Sequence, residues 1–120
     1  GLLDVSPLYK YEVRGPDAAA LLSRMVVRDV GKLEIGSVAY VCWCDDRGKV
    51  VDDGTIARLG EDSFRMTAAD PTYHWLLAVG RGLRATVEDS SARLAALDQQ
   101  LALSEPEVIP LGVLMLVPEK

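Results

Sequence analysis

A long β-hairpin near the middle of the chain constrains the fold more than any other feature. Val38–Cys44 is rich in β-branched and aromatic residues, and residues 49–59 form the returning strand. Between them, residues 45–48 (DDRG) are a tight-turn sequence, with glycine where a positive φ is expected. After a second turn, Ser63–Ala68 forms a third strand. The sequence therefore predicts an antiparallel meander.

A strand and a helix precede this meander. Residues 8–14 alternate apolar and charged side chains, which is the period of a half-buried strand whose inward residues are Tyr9, Tyr11 and Val13. Residues 15–17 (GPD) open a helix, because proline is tolerated at its start and Asp17 complements the positive end of its dipole. The apolar stripe of that helix consists of Ala18, Leu21, Leu22, Met25 and Val26.

A second helix and a further strand follow the meander. Asp70 and Pro71 are expected to begin the helix, as N-cap acid and first-turn proline. Its predicted inward residues are Trp75, Leu76 and Val79. Residues 83–89 alternate again and predict a strand. The order β-α-β-β-β-α-β, with helices added to an antiparallel sheet, indicates an α+β fold.

The last segment of the chain is harder to assign. Ser90 and Ser91 are candidates to cap another helix, and residues 113–117 have the composition of a short terminal strand. With 120 residues the chain has the length of one domain, over 1–120. The longest apolar stretch, at residues 108–117, is too short to span a bilayer and contains a proline and a glycine.

The charge of the chain limits the partners that it is expected to have. Eighteen acidic and thirteen basic residues give a net charge of −5, which argues against a nucleic-acid binder. No signal peptide is recognised and no membrane partner is expected. Cys42 and Cys44 lie two apart, so a disulfide between them would be strained, and reduced thiols suit a cytoplasmic protein.

Few residues have the spacing that catalysis or metal binding requires. The single histidine, His74, has no cysteine partner at ligand spacing, and two thiols alone do not complete a zinc site, so no metal is expected. The adjacent acids Asp52 and Asp53 are the remaining candidates. Strand alternation sends them to opposite faces but does not settle which points inward. Alternatively, both lie at a solvated strand end beside Gly54.

Several segments, in order along the chain, resemble the folate-binding domain of aminomethyltransferases. They read GLLDVS (1–6), RGPD (14–17), RDV (28–30) and GKVVDDG (48–54). That family includes the glycine cleavage system T-protein and tetrahydrofolate-dependent demethylases. The resemblance covers residues 1–89 and implies one half of a T-protein-like folate-binding domain.

The resemblance also implies a cofactor, tetrahydrofolate, and five site residues. Asp52 matches the acid that contacts the folate nitrogen through which the one-carbon unit passes, so it is the expected catalytic residue. Tyr40 matches a pocket-lining tyrosine, and Leu8 matches an apolar wall residue. Gly54 and Ile56 match positions beside the pterin.

The chain also departs from the family pattern. Pro7 and Leu8 stand where the family often has His-Met, and the family's second half, with its Gly-Tyr-Thr-Gly-Glu type motif, is not found. Residues 90–120 are expected to be a divergent tail on a truncated domain that is not catalytic by itself. The alternative is a non-catalytic structural or interaction protein, homodimeric through the unpaired half and residues 113–117.

Overall fold

The hairpin near the middle of the chain becomes part of a five-stranded antiparallel sheet. The computed structural model describes residues 2–4, 8–92 and 114–116. The strands over these residues are β1 (Leu2–Asp4), β2 (Tyr9–Arg14), β3 (Val38–Cys44), β4 (Val50–Gly60), β5 (Ser63–Ala68), β6 (Thr86–Asp89) and β7 (Leu114–Leu116). The helices are α1 (Ala18–Met25) and α2 (Tyr73–Val79), with a short 3-10 helix at Val30–Lys32. The strand order β3-β4-β5-β2-β6 confirms the α+β prediction.

The turn between β3 and β4 is built as its sequence predicts. Gly48 has a φ of +80°, and its N–H donates to the Asp45 carbonyl at 3.0 Å. The Asp45 carboxylate accepts the N–H groups of Arg47 at 2.9 Å and Lys49 at 3.0 Å. An aspartate that satisfies two turn amides and a glycine in the left-handed region fix where the hairpin reverses.

Strand β2 differs from its prediction because it is buried on both faces. Tyr11 and Val13 are buried as expected, but the side chains of Lys10 and Glu12 on the other face are also buried, at 2% and 1% exposure. β2 lies between β5 and β6 in the sheet, and on this face Glu12 is opposite Arg65 of β5 and Glu88 of β6. Glu12 is tolerated there because its Oε1 accepts the Arg65 Nε hydrogen at 2.8 Å.

The helices pack against the sheet face that carries Tyr11 and Phe64, and α1 confirms its prediction. Its buried residues are Ala18, Leu21, Leu22 and Met25. In α2 one prediction is wrong, because Trp75 is 43% exposed while Leu76 is fully buried. Successive residues of a helix point about 100° apart, so a two-turn helix that buries Leu76 turns Trp75 away from the core.

Two predicted boundaries differ because tertiary hydrogen bonds hold the flanking residues. Helix α2 begins at Tyr73 instead of Asp70, and β6 begins at Thr86 instead of residue 83. Arg84 is held by Asp17, whose carboxylate accepts the Arg84 N–H at 2.8 Å. Gly15 lies against the same backbone, since a Cβ there would be 2.9 Å from the Cα of Ala85.

The Asp17 contact makes part of the stability depend on pH. The Arg84 N–H, and after it the Arg84 guanidinium, hold the pKa of Asp17 below its usual 3.8. A carboxyl whose pKa is lower in the folded state stabilises the fold above pH 3.8, and this stabilisation disappears as the pH falls through the lowered pKa. Urea unfolding should find Asp17→Asn less stable than the native chain at pH 7 and equal to it at the acid end. A difference that stays constant with pH would contradict this assignment.

The ends of the described chain form a separate two-stranded sheet. β1 pairs antiparallel with β7, with Leu2 opposite Leu116. The sequence predicts a strand at residues 113–117 and misses β1, because three residues are too few to show a period. The helix predicted after Ser90 lies, from residue 93 onward, outside the described residues, and the homodimer stays a prediction. In the described part of the chain no helix has the length and apolar composition needed to cross a membrane.

Candidate functional site

The sheet places Asp52 and Asp53 on opposite faces, so the structure decides which of the two side chains points inward. Asp52 lies opposite Trp43 in the β3–β4 ladder, on the same face as the buried residue Ile56. Asp52 is half-buried, whereas Asp53 is exposed on the other face, opposite Cys42. The inward carboxylate is therefore that of Asp52, at the end of the core-facing side of β4.

A β-bulge sets the position of Asp52 at this end of the strand. Trp43 pairs with Asp52 and Cys44 pairs with Val50, so Val51 is an extra residue without a partner in β3. A bulge bends its strand and re-aims the adjacent side chains. Here the side chains of Val51 and Asp52 line the same cavity.

Two backbone amides hold the Asp52 carboxylate. Its Oδ1 accepts the N–H of Asp53 at 2.8 Å, and its Oδ2 accepts the N–H of Asp70 at 3.2 Å. Gly54 pairs with Ala68, so extending the β4–β5 register by two residues places Asp70 opposite Asp52. Strand β5 ends at Ala68, and the Asp70 amide binds the Asp52 side chain just beyond that end.

A small cavity of about 110 Å³ lies beside this carboxylate. Its lining residues are Trp43, Val51, Asp52, Asp70, Pro71, Thr72 and Trp75. The lining combines apolar walls with two carboxylates and contains no lysine or arginine. Among the described residues, none of the ion pairs involves Asp52. Such a site favours a positively charged or polarised nitrogen, since a carboxylate and an indole face both attract a cation.

Of the five residues predicted from the resemblance, only Asp52 lines this cavity. Tyr40 lies opposite Thr55 on the other face of the sheet and is 51% exposed. Leu8 is half-buried just before β2, where its carbonyl accepts the Nζ hydrogen of Lys10 at 3.0 Å. The structure therefore does not bring Tyr40 or Leu8 to the cavity beside Asp52.

Gly54 and Ile56 have packing roles in the structure. Ile56 is fully buried in the core. A Cβ added to Gly54 would overlap the carbonyl oxygen of Thr67 and lie 2.9 Å from its carbonyl carbon. Glycine at this position allows the close approach of β4 and β5.

The sequence predictions missed Trp43, Asp70 and Trp75 as neighbours of Asp52. The hairpin prediction places Trp43 near Asp52, but its register depends on the bulge at Val51. The sequence predicts Asp70 as a helix cap and Trp75 as a core residue. The register of the β4–β5 pair is the signal for Asp70. Since Gly54 pairs with Ala68, counting two residues outward along both strands places Asp70 opposite Asp52.

The other candidate residues are not assembled into a site. Cys42 and Cys44 are half-buried free thiols, and His74 is exposed at the surface, with its ring 5.9 Å from that of Tyr73. Within residues 8–92 and the two short end strands, no group of three or more acidic, histidine or cysteine side chains could hold a metal ion.

Comparison with known proteins agrees with the resemblance seen in the sequence. A sequence model of the GCVT N-terminal domain matches residues 1–102. The chain belongs to this family. The match to the GCVT N-terminal domain runs past Asp89, the last residue of the resemblance described above.

Individual GCVT relatives support the same assignment. The chain is 38% identical over 105 residues to an aminomethyltransferase of Thermus thermophilus, covering 83% of the chain and 30% of the relative. It is 35% identical over 109 residues to a trimethylamine-oxide aldolase of Ruegeria pomeroyi. That match covers 88% of the chain and 13% of the relative. An aminomethyltransferase of Bacillus cereus is 35% identical over 111 residues, and the match covers 89% of the chain and 29% of the relative. The chain thus spans less than a third of the length of each relative.

A solved structure shows the same fold. The glycine cleavage system aminomethyltransferase T from Bartonella henselae superimposes with a TM-score of 0.66 at 28% sequence identity. The superposition covers 72% of this chain and 25% of the other. The five-stranded sheet and two helices therefore match part of an aminomethyltransferase fold.

Proposed function

We propose that this domain binds tetrahydrofolate or a related pterin, in a protein of the aminomethyltransferase type, and that Asp52 contacts the ligand. The observation that carries the proposal is the half-buried Asp52 carboxylate, held by two amides and open to the cavity beside Trp75. A GCVT-family chain with an inward carboxylate and no cation in the cavity lining is suited to a polarised ring or amine nitrogen.

The size of the cavity limits which part of the ligand these residues would hold. Ligand pockets usually measure about 300–1,000 Å³, whereas this cavity measures about 110 Å³. Asp52 would thus hold one polar group of the cofactor, while other contacts hold the rest. Bound folate supplies the nitrogens that carry the one-carbon unit. The Asp52 carboxylate would orient such a nitrogen, stabilise positive charge on it, and accept or return a proton.

Titration calorimetry with tetrahydrofolate tests the assignment of Asp52. We expect Asp52→Asn to lower the affinity by about tenfold to a hundredfold, which corresponds to one charge-assisted hydrogen bond. The matched control is Asp53→Asn, which removes the same charge one residue away on the opposite, exposed face. Equal affinities for both variants would refute the role of Asp52, and the absence of heat with the native chain would refute folate binding.

Self-association without catalysis is the second candidate, and one observation favours it. Val38 and Tyr40 are 53% and 51% exposed on β3, an edge strand of the sheet. Exposed apolar side chains on a sheet edge favour pairing with another chain. We propose on this basis a homodimer, together with the cytoplasmic location expected from the reduced thiols. Light scattering tests the dimer, and a monomer at high concentration would count against it.

A further inference from the structure

The loop between β5 and α2, residues 69–72, is joined to the sheet by two hydrogen bonds, and a third lies within the loop. The Tyr11 hydroxyl oxygen accepts the N–H of Thr72 at 2.8 Å. The Thr72 hydroxyl donates to the Asp70 carbonyl at 2.8 Å. The Asp70 N–H then donates to Oδ2 of Asp52 at 3.2 Å. A continuous chain of contacts thus runs from the middle of the sheet to the Asp52 carboxylate.

Tyr11 is a rigid start for this chain of contacts. It is fully buried on β2, a central strand of the sheet, and its ring stacks on that of Tyr73 with centroids 6.4 Å apart and planes at 19°. Burial raises the pKa of Tyr11, which keeps its hydroxyl protonated and neutral. Thr72 is also buried, so its N–H needs the Tyr11 oxygen as an acceptor.

The contact from Asp70 is what links Asp52 to another element of the fold. The other oxygen of Asp52 is bound by Asp53, its neighbour in the same strand, and moves with that strand. If the loop shifts, only the Asp70 contact is lost, and the carboxylate is then held by one amide instead of two. The aim of the carboxylate therefore depends on where residues 70–72 lie.

We infer that Tyr11 is a positioning residue for Asp52, acting through Thr72 and Asp70. Tyr11 does not line the cavity and is not expected to touch the ligand. Its hydroxyl fixes the loop, the loop fixes the Asp70 amide, and that amide holds the carboxylate toward the cavity. This inference rests on the proposed function of Asp52 for its meaning, but its structural part is measured without any ligand.

Amide hydrogen exchange in the ligand-free chain tests the structural part. Tyr11→Phe keeps the ring and removes the acceptor, so exchange at the Thr72 and Asp70 amides should accelerate by about threefold to tenfold. The matched control is Tyr9→Phe, which removes a hydroxyl two residues away on the same strand. Within the described residues the Tyr9 hydroxyl makes no hydrogen bond. Acceleration at Thr72 alone would overturn the inference, because the loop would then not transmit the change to Asp70.

A double-mutant cycle on tetrahydrofolate affinity separates positioning from general stability. Tyr11→Phe should weaken binding by about threefold to tenfold in the native background and by nothing further in Asp52→Asn. An equal loss in both backgrounds would overturn the inference, since a purely structural effect does not depend on Asp52. Tyr9→Phe, which removes a hydroxyl outside this chain of contacts, should bind like the native chain. If the native chain binds no folate, the proposed function fails and the exchange rates alone decide the role of Tyr11.

Discussion

Gly54→Ala is expected to destabilise the domain by about 3 kcal/mol or more, at the upper end of the usual penalty for overpacking. A methyl group at this position would overlap the Thr67 carbonyl oxygen and lie 2.9 Å from the carbonyl carbon. Both atoms belong to the backbone of β5, so no side-chain rotation relieves the overlap. The β4–β5 ladder must separate around Gly54, where it pairs with Ala68.

Gly60→Ala is the matched control for this prediction. Gly60 lies in the same strand, and a Cβ there would meet the Ser63 Cβ at 3.7 Å, which is ordinary contact. Its substitution should change the free energy of unfolding by no more than about 0.5 kcal/mol. Urea unfolding followed by circular dichroism measures both variants. Equal stability of the two would show that the close approach at Gly54 does not constrain the fold.

The same experiment bears on why glycine occupies this position. The family resemblance places Gly54 beside the pterin, whereas its contacts here are with β5. If Gly54→Ala unfolds the chain, packing is sufficient to explain the glycine. If instead the variant folds normally and loses only affinity for tetrahydrofolate, the role expected from the resemblance is the correct one.

Local patterns in the sequence were enough to predict most of the fold. The turn chemistry of Asp45 and Gly48 and the composition of Val38–Cys44 depend on neighbours along the chain, and the structure has the hairpin where they predict it. The apolar stripe of Ala18–Met25 is likewise a local signal, because one helix face must be buried. The α+β class and the order of the elements follow from these segments.

Contacts that depend on strand order could not be read in the same way. The alternation in β2 does not reveal that Glu12 is buried on the polar face, because its cross-strand neighbours, Arg65 and Glu88, come from distant parts of the sequence. The neighbourhood of Asp52 needs both the bulge at Val51 and the path of residues 69–72. The sequence does not predict the exposure of Trp75, because a seven-residue helix carries too few apolar positions to define its inward face.

The second prediction with a large effect concerns the ion pair between Glu12 and Arg65. The Glu12 side chain is 1% exposed, and its Oε1 lies 2.8 Å from Nε of Arg65. Among the described residues its Oε2 has no hydrogen-bond partner, and an Nη atom of Arg14 lies 3.9 Å from it. Arg65→Met should therefore destabilise the domain by about 3–5 kcal/mol, because it leaves a buried carboxylate without its main partner. Denaturant unfolding at neutral pH measures this loss.

Two further variants separate charge pairing from packing in this prediction. Arg14→Met removes a cation that lies in β2 with Glu12 and is 51% exposed. It should therefore change the free energy of unfolding by less than about 1 kcal/mol. The double variant Glu12→Leu with Arg65→Met should recover most of the stability lost in Arg65→Met, since no unpaired charge remains buried. A double variant as unstable as the single one would mean that the Arg65 side chain contributes by packing alone. The packing of Tyr11 and Val13 in the core, on the other face of β2, would then stabilise the fold independently of the charge on Glu12.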